Sequence, residues 1–161
     1  QYTAQQLLDE LQPSHVILGP GPGWPSDSRL TMEFAQLSLS GDAPPLLGIC
    51  LGHQAIGVSS GLSLVPSPIG PVHGTPVKCL HKGEALFEGL DDVSMTRYNS
   101  LTHLTADVSG ESNLIVDATD DTKSLVLGFR AKGRPVFGVQ FHPESVGSQF
   151  GGHILSKFLE Y

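Results

Sequence analysis

Cysteine is scarce in this sequence: of 161 residues only Cys50 and Cys79 carry a thiol. Two thiols make no disulfide framework, so a reducing compartment, the cytoplasm, is the expected setting. Charged residues are also few, 16% against 39% hydrophobic, which excludes a disordered or heavily solvated chain. Basic residues are the rarer sign, 9 against 16 acidic ones, and form no stripe, so no nucleic-acid partner is expected. No apolar run approaches the roughly 20 residues that span a bilayer, so no membrane partner is expected either. Signal peptide and initiator Met are both missing, and the chain opens on Gln1-Tyr2-Thr3. We therefore expect a piece of a longer or processed chain. A plastid location would need a transit peptide outside this stretch.

What the chain has in plenty is glycine and proline, 19 and 12 residues. Such a chain has many short connections, which suits a sheet enzyme better than a helical bundle. Leu7, Leu8 and Leu11 recur at helical spacing from Thr3 onward, and Pro13 ends that helix. His15 to Leu18 reads as a buried strand running into the loop Gly19-Pro20-Gly21-Pro22-Gly23. Ser26 or Asp27 can cap a helix reaching about Leu39. Leu46 to Ile49 is a second buried strand, with a helix from about Gly52 to Ser60. The stretch from Leu62 to Leu104 holds short β-like runs broken by Pro66, Pro68, Pro71, Gly74 and Pro76. Further strands are expected at Asn113 to Val116, Leu125 to Phe129 and Val136 to Gln140, the last two joined by a hairpin turn. A closing helix spans Gly152 to Leu159. Helices between the early strands, then a run of strands, predict an α/β domain with a mixed sheet.

Gly48-Ile49-Cys50-Leu51-Gly52 is the most informative segment. It puts a thiol at the tip of a buried strand just before a helix. The flanking glycines permit a strand-to-helix turn that would crowd any Cβ, the geometry of a nucleophile elbow. The helix N-terminus is expected to lower the thiol pKa. An inert buried thiol is the alternative, disfavoured by glycine on both sides. In Gln140-Phe141-His142-Pro143-Glu144-Ser145, His142 follows an apolar strand, where site residues of open α/β sheets collect. Extended backbone projects i and i+2 to one side, so His142 and Glu144 can stand together. The carboxylate would fix the imidazole tautomer and leave the other ring nitrogen free for a thiol. Taken alone, such a pair more simply ties down a turn. The Gly19–Gly23 loop ends a strand and could offer a backbone N–H to an oxyanion, but it fits neither a Walker loop nor a dinucleotide fingerprint.

Three motifs in this order are specific together. Leu18-Gly19-Pro20-Gly21-Pro22-Gly23-Trp24-Pro25, Leu47-Gly48-Ile49-Cys50-Leu51-Gly52-His53-Gln54 and Gly138-Val139-Gln140-Phe141-His142-Pro143-Glu144-Ser145 resemble class I glutamine amidotransferases. Arg97-Tyr98-Asn99-Ser100-Leu101 is similar to a fourth family element. The resemblance runs nearly end to end, and is nearest to the subunits or domains that feed ammonia to chorismate-using synthases. Gly70-Pro71-Val72-His73-Gly74 and Leu86-Phe87-Glu88-Gly89-Leu90 lean towards aminodeoxychorismate synthesis over anthranilate synthesis.

The resemblance implies a three-layer α/β/α domain with a mixed, mostly parallel central sheet. It also implies that a leading strand–helix–strand of the family lies outside this sequence. Cys50 would attack the glutamine amide, with N–H groups of Leu51 and of the Gly21–Gly23 region holding the oxyanion. His142 would move the proton, and Glu144 would orient it. Gln54, Ser100 and Leu101 would position glutamine. No cofactor is implied, and a chorismate-using synthase, separate or fused, would receive the ammonia. Two departures stand out: Asn99 where the family usually has His, and Thr75 where a basic residue usually follows Gly74.

Other readings compete. The same chemistry could serve GMP, CTP or carbamoyl phosphate synthesis, or the domain could be a non-catalytic scaffold or a stand-alone thiol hydrolase. Cys79 reads as a structural thiol. His53 reads equally as a tuning or a packing residue. His15, His73, His81, His103 and His153 lack ligand spacing, so no metal is expected. Asp91-Asp92 and Asp120-Asp121 read as solvated loops. Trp24 reads as a shield, a partner contact or plain loop packing.

Overall fold

The computed structural model describes residues 2–161. In chain order its elements are α1 (Ala4–Leu11), β1 (Val16–Leu18), α2 (Arg29–Ser40), β2 (Leu46–Ile49), α3 (Leu51–Ser59), β3 (Val65–Pro66), β4 (Thr75–His81), β5 (Val93–Arg97), β6 (Leu101–Thr102), β7 (Leu114–Thr119), β8 (Val126–Ala131), β9 (Val136–Val139) and α4 (Gly151–Phe158). The first helix starts where the capping pattern says. Thr3 accepts from the Gln6 N–H while the Gln6 side chain accepts from the Thr3 N–H. Gln12, in the left-handed region, ends it one residue before Pro13.

Seven strands form one sheet in the order β1-β2-β9-β8-β7-β4-β5, and β3 pairs with β6 as a separate ribbon. Pairing is parallel from β1 to β2 to β9 and antiparallel at every later step. The sheet is mixed, as expected, but it is not mostly parallel. Parallel neighbours need a crossover, which α2 supplies between β1 and β2. Residues 132–135 between β8 and β9 leave room only for a hairpin, with Gly133 at φ +68°. In β4, Pro76 costs no ladder bond: its β5 partner Thr96 turns its N–H and carbonyl away to Ser148 and His142, and β7 reaches β4 only at Leu80 and His81.

Alternation along the central strands splits the core between two faces. Leu46, Val126 and Val136 join Ala35, Ala55 and Ile56 on the face covered by α2 and α3. Leu47, Leu127 and Phe137 join Ile154, Phe158 and Phe87 on the face covered by α4. Helices on both faces of one sheet give the three layers.

The junction of β2 and α3 is the tightest point. A Cβ on Gly48 would lie 2.5 Å from the Gly52 carbonyl carbon, and one on Gly52 would collide with the Leu18 carbonyl oxygen. We expect Gly52→Ala to lower the unfolding free energy by about 1–3 kcal/mol in denaturant melts. At Gly152, on α4, a Cβ would meet nothing within 4 Å. There Gly→Ala should be neutral or stabilising by up to about 1 kcal/mol. Equal effects at the two sites would overturn this account of the elbow.

Candidate active site

Cys50 sits between β2 and α3 with φ +54° and ψ −101°, a conformation non-glycine residues avoid. Its N–H donates to the Val139 carbonyl at 2.9 Å, continuing the β2–β9 ladder through the turn. Its carbonyl receives the Gln54 N–H at 3.0 Å, the first turn of α3. The nucleophile is thus pinned from both sides, as an elbow requires.

The expected low thiol pKa is not found. Burial pushes the Cys50 thiol up to about 11, and the neighbouring Glu144 carboxylate adds to the rise. The Leu51 N–H at the start of α3 and the Arg97 guanidinium pull the other way without prevailing. The helix terminus acts as anticipated, but the apolar core around the sulfur outweighs it. Attack by this thiol requires a base that removes its proton as the bond forms.

His142 is the candidate for that role. Its Nδ1–H donates to Glu144 Oε1 at 2.7 Å, which leaves Nε2 as the acceptor in the neutral ring. Nε2 is buried and has no hydrogen-bond partner among the described residues. The backbone is held against β5: the His142 N–H donates to the Thr96 carbonyl at 2.9 Å. Ser148 completes the clamp, accepting from the Thr96 N–H at 3.0 Å and donating to the His142 carbonyl at 2.5 Å. Tyr98 lies edge-on to the imidazole, ring centroids 4.9 Å apart. Sequence reasoning gave neither Ser148 nor the Tyr98 ring a role; no local pattern marks Ser148, because it bridges its own segment at His142 to Thr96 on another strand.

The other anticipated residues divide. Gly21 lies against Leu51, where a Cβ would come within 2.9 Å of the Leu51 side chain, so loop and α3 N-terminus do adjoin. Gly23, at φ +77°, instead turns the chain beside Asp27, whose carboxylate accepts the Trp24 N–H at 2.9 Å. Gln54 is buried, and its Nε2 is engaged internally, donating to the Leu101 carbonyl at 3.1 Å and to Gln140 Oε1 at 3.2 Å. Ser100 is exposed, and its carbonyl receives the Ser67 N–H at 2.8 Å. Leu101 opens β6.

His53 is fully buried and stacks on Phe129 with centroids 4.5 Å apart, a packing role; burial holds its pKa well below the usual imidazole value. Cys79 is buried in β4, and burial pushes its thiol up to about 12. Asp91 and Asp92 are exposed, but Asp120 is buried and accepts the Ser124 and Leu125 N–H groups, closing a turn rather than facing solvent. Among the described residues no group of three or more His, Cys, Asp or Glu could hold a metal, and no helix is long and apolar enough to cross a membrane. A recess of about 600 Å³ lined by Leu80, Lys82, Asp117 and Lys123 contains none of the thiol-site residues.

Comparison with known proteins identifies the family and the fold. The model of the family described as glutamine amidotransferase class-I matches residues 1–161. Anthranilate synthase component 2 of Thermus thermophilus is 39% identical over 158 residues, covering 95% of this chain and 73% of that protein. Aminodeoxychorismate synthase component 2 of Serratia marcescens is 34% identical over 155 residues, covering 94% and 79%. In fold, the crystal structure of a protein assigned as a GMP synthase subunit from Thermoplasma acidophilum aligns with a TM-score of 0.79 at 24% identity, covering 94% of this chain and 74% of that one. The chain belongs to the class I glutamine amidotransferases.

Proposed function

We propose that the chain hydrolyses glutamine through a Cys50 thioester and passes the ammonia to a chorismate-using synthase. The observation that carries this reading is an imidazole whose Nδ1 is tied to a carboxylate and whose buried Nε2 is unengaged, on the segment that follows the strand paired with β2, at whose end the pinned thiol stands. Cys50 Sγ attacks the side-chain amide carbon as its proton passes to His142 Nε2. The Leu51 N–H and an N–H of the Gly21 region receive the oxyanion. His142 returns the proton to the departing nitrogen, and ammonia leaves. It then takes a proton from water, whose oxygen cleaves the thioester to glutamate and restores the thiol. Glu144 holds the tautomer and steadies the imidazolium. Ser100, Leu101 and the remaining acceptor of Gln54 hold glutamine.

Relatives named for anthranilate and for aminodeoxychorismate synthesis support a chorismate-using partner. Aminodeoxychorismate synthesis is the first reading, from the segments at Gly70–Gly74 and Leu86–Leu90. Anthranilate synthesis is the second, favoured by the higher identity to such a component. The test is turnover with the co-purifying synthase, glutamine and chorismate, the amino product being identified by mass spectrometry. Either product supports the ammonia-transfer reading and names the branch. No glutamine turnover, with Cys50 inert to 6-diazo-5-oxo-norleucine, leaves a scaffold instead.

Cys50→Ala should abolish glutamine-dependent synthesis and spare synthesis from free ammonia; loss of both sinks the division of labour. His142→Ala should lower glutaminase kcat by about 10²–10⁴-fold. Glu144→Ala should cost less, since it orients rather than transfers, and equal losses would contradict that order. Without glutamine, a thiol titrating near 11 predicts that iodoacetamide labelling of Cys50 rises with pH. The increase should be about tenfold per pH unit between 7 and 9. A plateau near neutrality would mean a preformed thiolate.

A further inference from the structure

Beneath the thiol site, four buried side chains and one carbonyl form a single hydrogen-bonded set. Arg97 Nε–H donates to Asn99 Oδ1 at 3.0 Å, and Asn99 Nδ2 donates to the Leu101 carbonyl at 2.7 Å. The same carbonyl receives Gln54 Nε2, which also reaches Gln140 Oε1. Arg97, Asn99, Gln54 and Gln140 are all buried, none more than 5% exposed. They come from the end of β5, the link to β6, the nucleophile helix α3 and the segment after β9 that leads to His142.

Asn99 is the residue on which this set turns. Its amide faces two partners in opposite senses, accepting from Arg97 and donating to Leu101. The Arg97 Nη1 and Nη2 atoms have no partner among the described residues, so Asn99 is the group that orients this guanidinium. Two donors on the Leu101 carbonyl fill both of its lone pairs and fix the direction of that peptide group. The Asn99 carbonyl is itself held by the Val72 N–H at 3.0 Å.

We infer that Asn99 is a positioning residue for glutamine, locking the Ser100–Leu101 segment against α3 so that the substrate amide meets Cys50. This rests on the glutaminase reading above. An apolar residue at 99 would strand a buried guanidinium N–H and a carbonyl lone pair, the costly way to lose a hydrogen bond. An aspartate would keep the Arg97 contact but turn a carboxylate oxygen towards the Leu101 carbonyl.

The test compares the whole chain as wild type, Asn99→Asp and Asn99→Leu, using two probes of Cys50 with site-resolved mass spectrometry. The probe 6-diazo-5-oxo-norleucine must first be seated as glutamine is; iodoacetamide needs only an open thiol. In both variants the half-saturating concentration of the glutamine analogue should rise about tenfold. The iodoacetamide rate should stay at the wild-type value in Asn99→Leu and, in Asn99→Asp, fall far less than the analogue labelling, since the new carboxylate only offsets the pull of Arg97 on the thiol. Asn99→Asp, which keeps the Arg97 contact, decides the matter if Asn99→Leu fails to fold. Unchanged analogue labelling overturns the proposal, and so does an equal loss with both probes. A wild-type chain that takes iodoacetamide but never the analogue overturns the glutaminase reading instead.

Discussion

The close approach of α3 to β1 is the constraint from which the site follows. Gly52 sits against the Leu18 carbonyl, and Gly48 against the backbone of Gly52 itself. With no side chain at either position, a helix can begin directly on a strand end and force Cys50 into a positive φ. The sulfur then emerges at the start of a helix, next to the loop that follows β1. The Val139 bond to the Cys50 N–H ties the same point to β9, and β9 leads two residues on to Phe141 and then His142. Cys50 and His142 follow the same ends of neighbouring strands, because β2 and β9 are a parallel pair.

Burial and reactivity oppose each other at this point. The packing that fixes Cys50 also removes it from water, which favours the neutral thiol. The mechanism proposed above resolves the conflict by assigning the proton to the buried, unengaged Nε2 of His142. His142 is oriented by Glu144, a half-exposed carboxylate that needs no burial to do its work. Under that mechanism the thiol rests neutral and loses its proton as it attacks.

Local features were readable in the sequence, and distant ones were not. The elbow is written in five consecutive residues, and the His142–Glu144 pair in three, because strand and turn geometry fix their relations over short range. The internal duty of Gln54 was hidden, since its partners Leu101 and Gln140 lie 47 and 86 positions away. The thiol pKa was misjudged for a related reason: a helix terminus is visible in the sequence, whereas the core enclosing it is assembled from β4, β5 and β8. The sheet was expected to be mostly parallel. Short links make β7–β8 and β8–β9 antiparallel, and the hairpin turn already pointed that way; the antiparallel pairing of β4 with β5 and β7 spans longer connections that no turn signal announces. Asp120 looked like loop solvent contact because a turn anchor and a solvated aspartate share the same sequence.

The two halves of the site rest on unequal foundations. Cys50 hangs from β2 and β9, with strands on either side of each. The backbone of His142 is fastened to β5 through Thr96 and Ser148, and the loop beginning at Tyr98 leaves from the same strand. β5 is the last strand of the sheet and has one strand neighbour among the described residues. Edge strands open at lower free energy than interior ones. On warming, His142 and the loop at Tyr98 would therefore loosen together, while the strands that hold Cys50 stay closed.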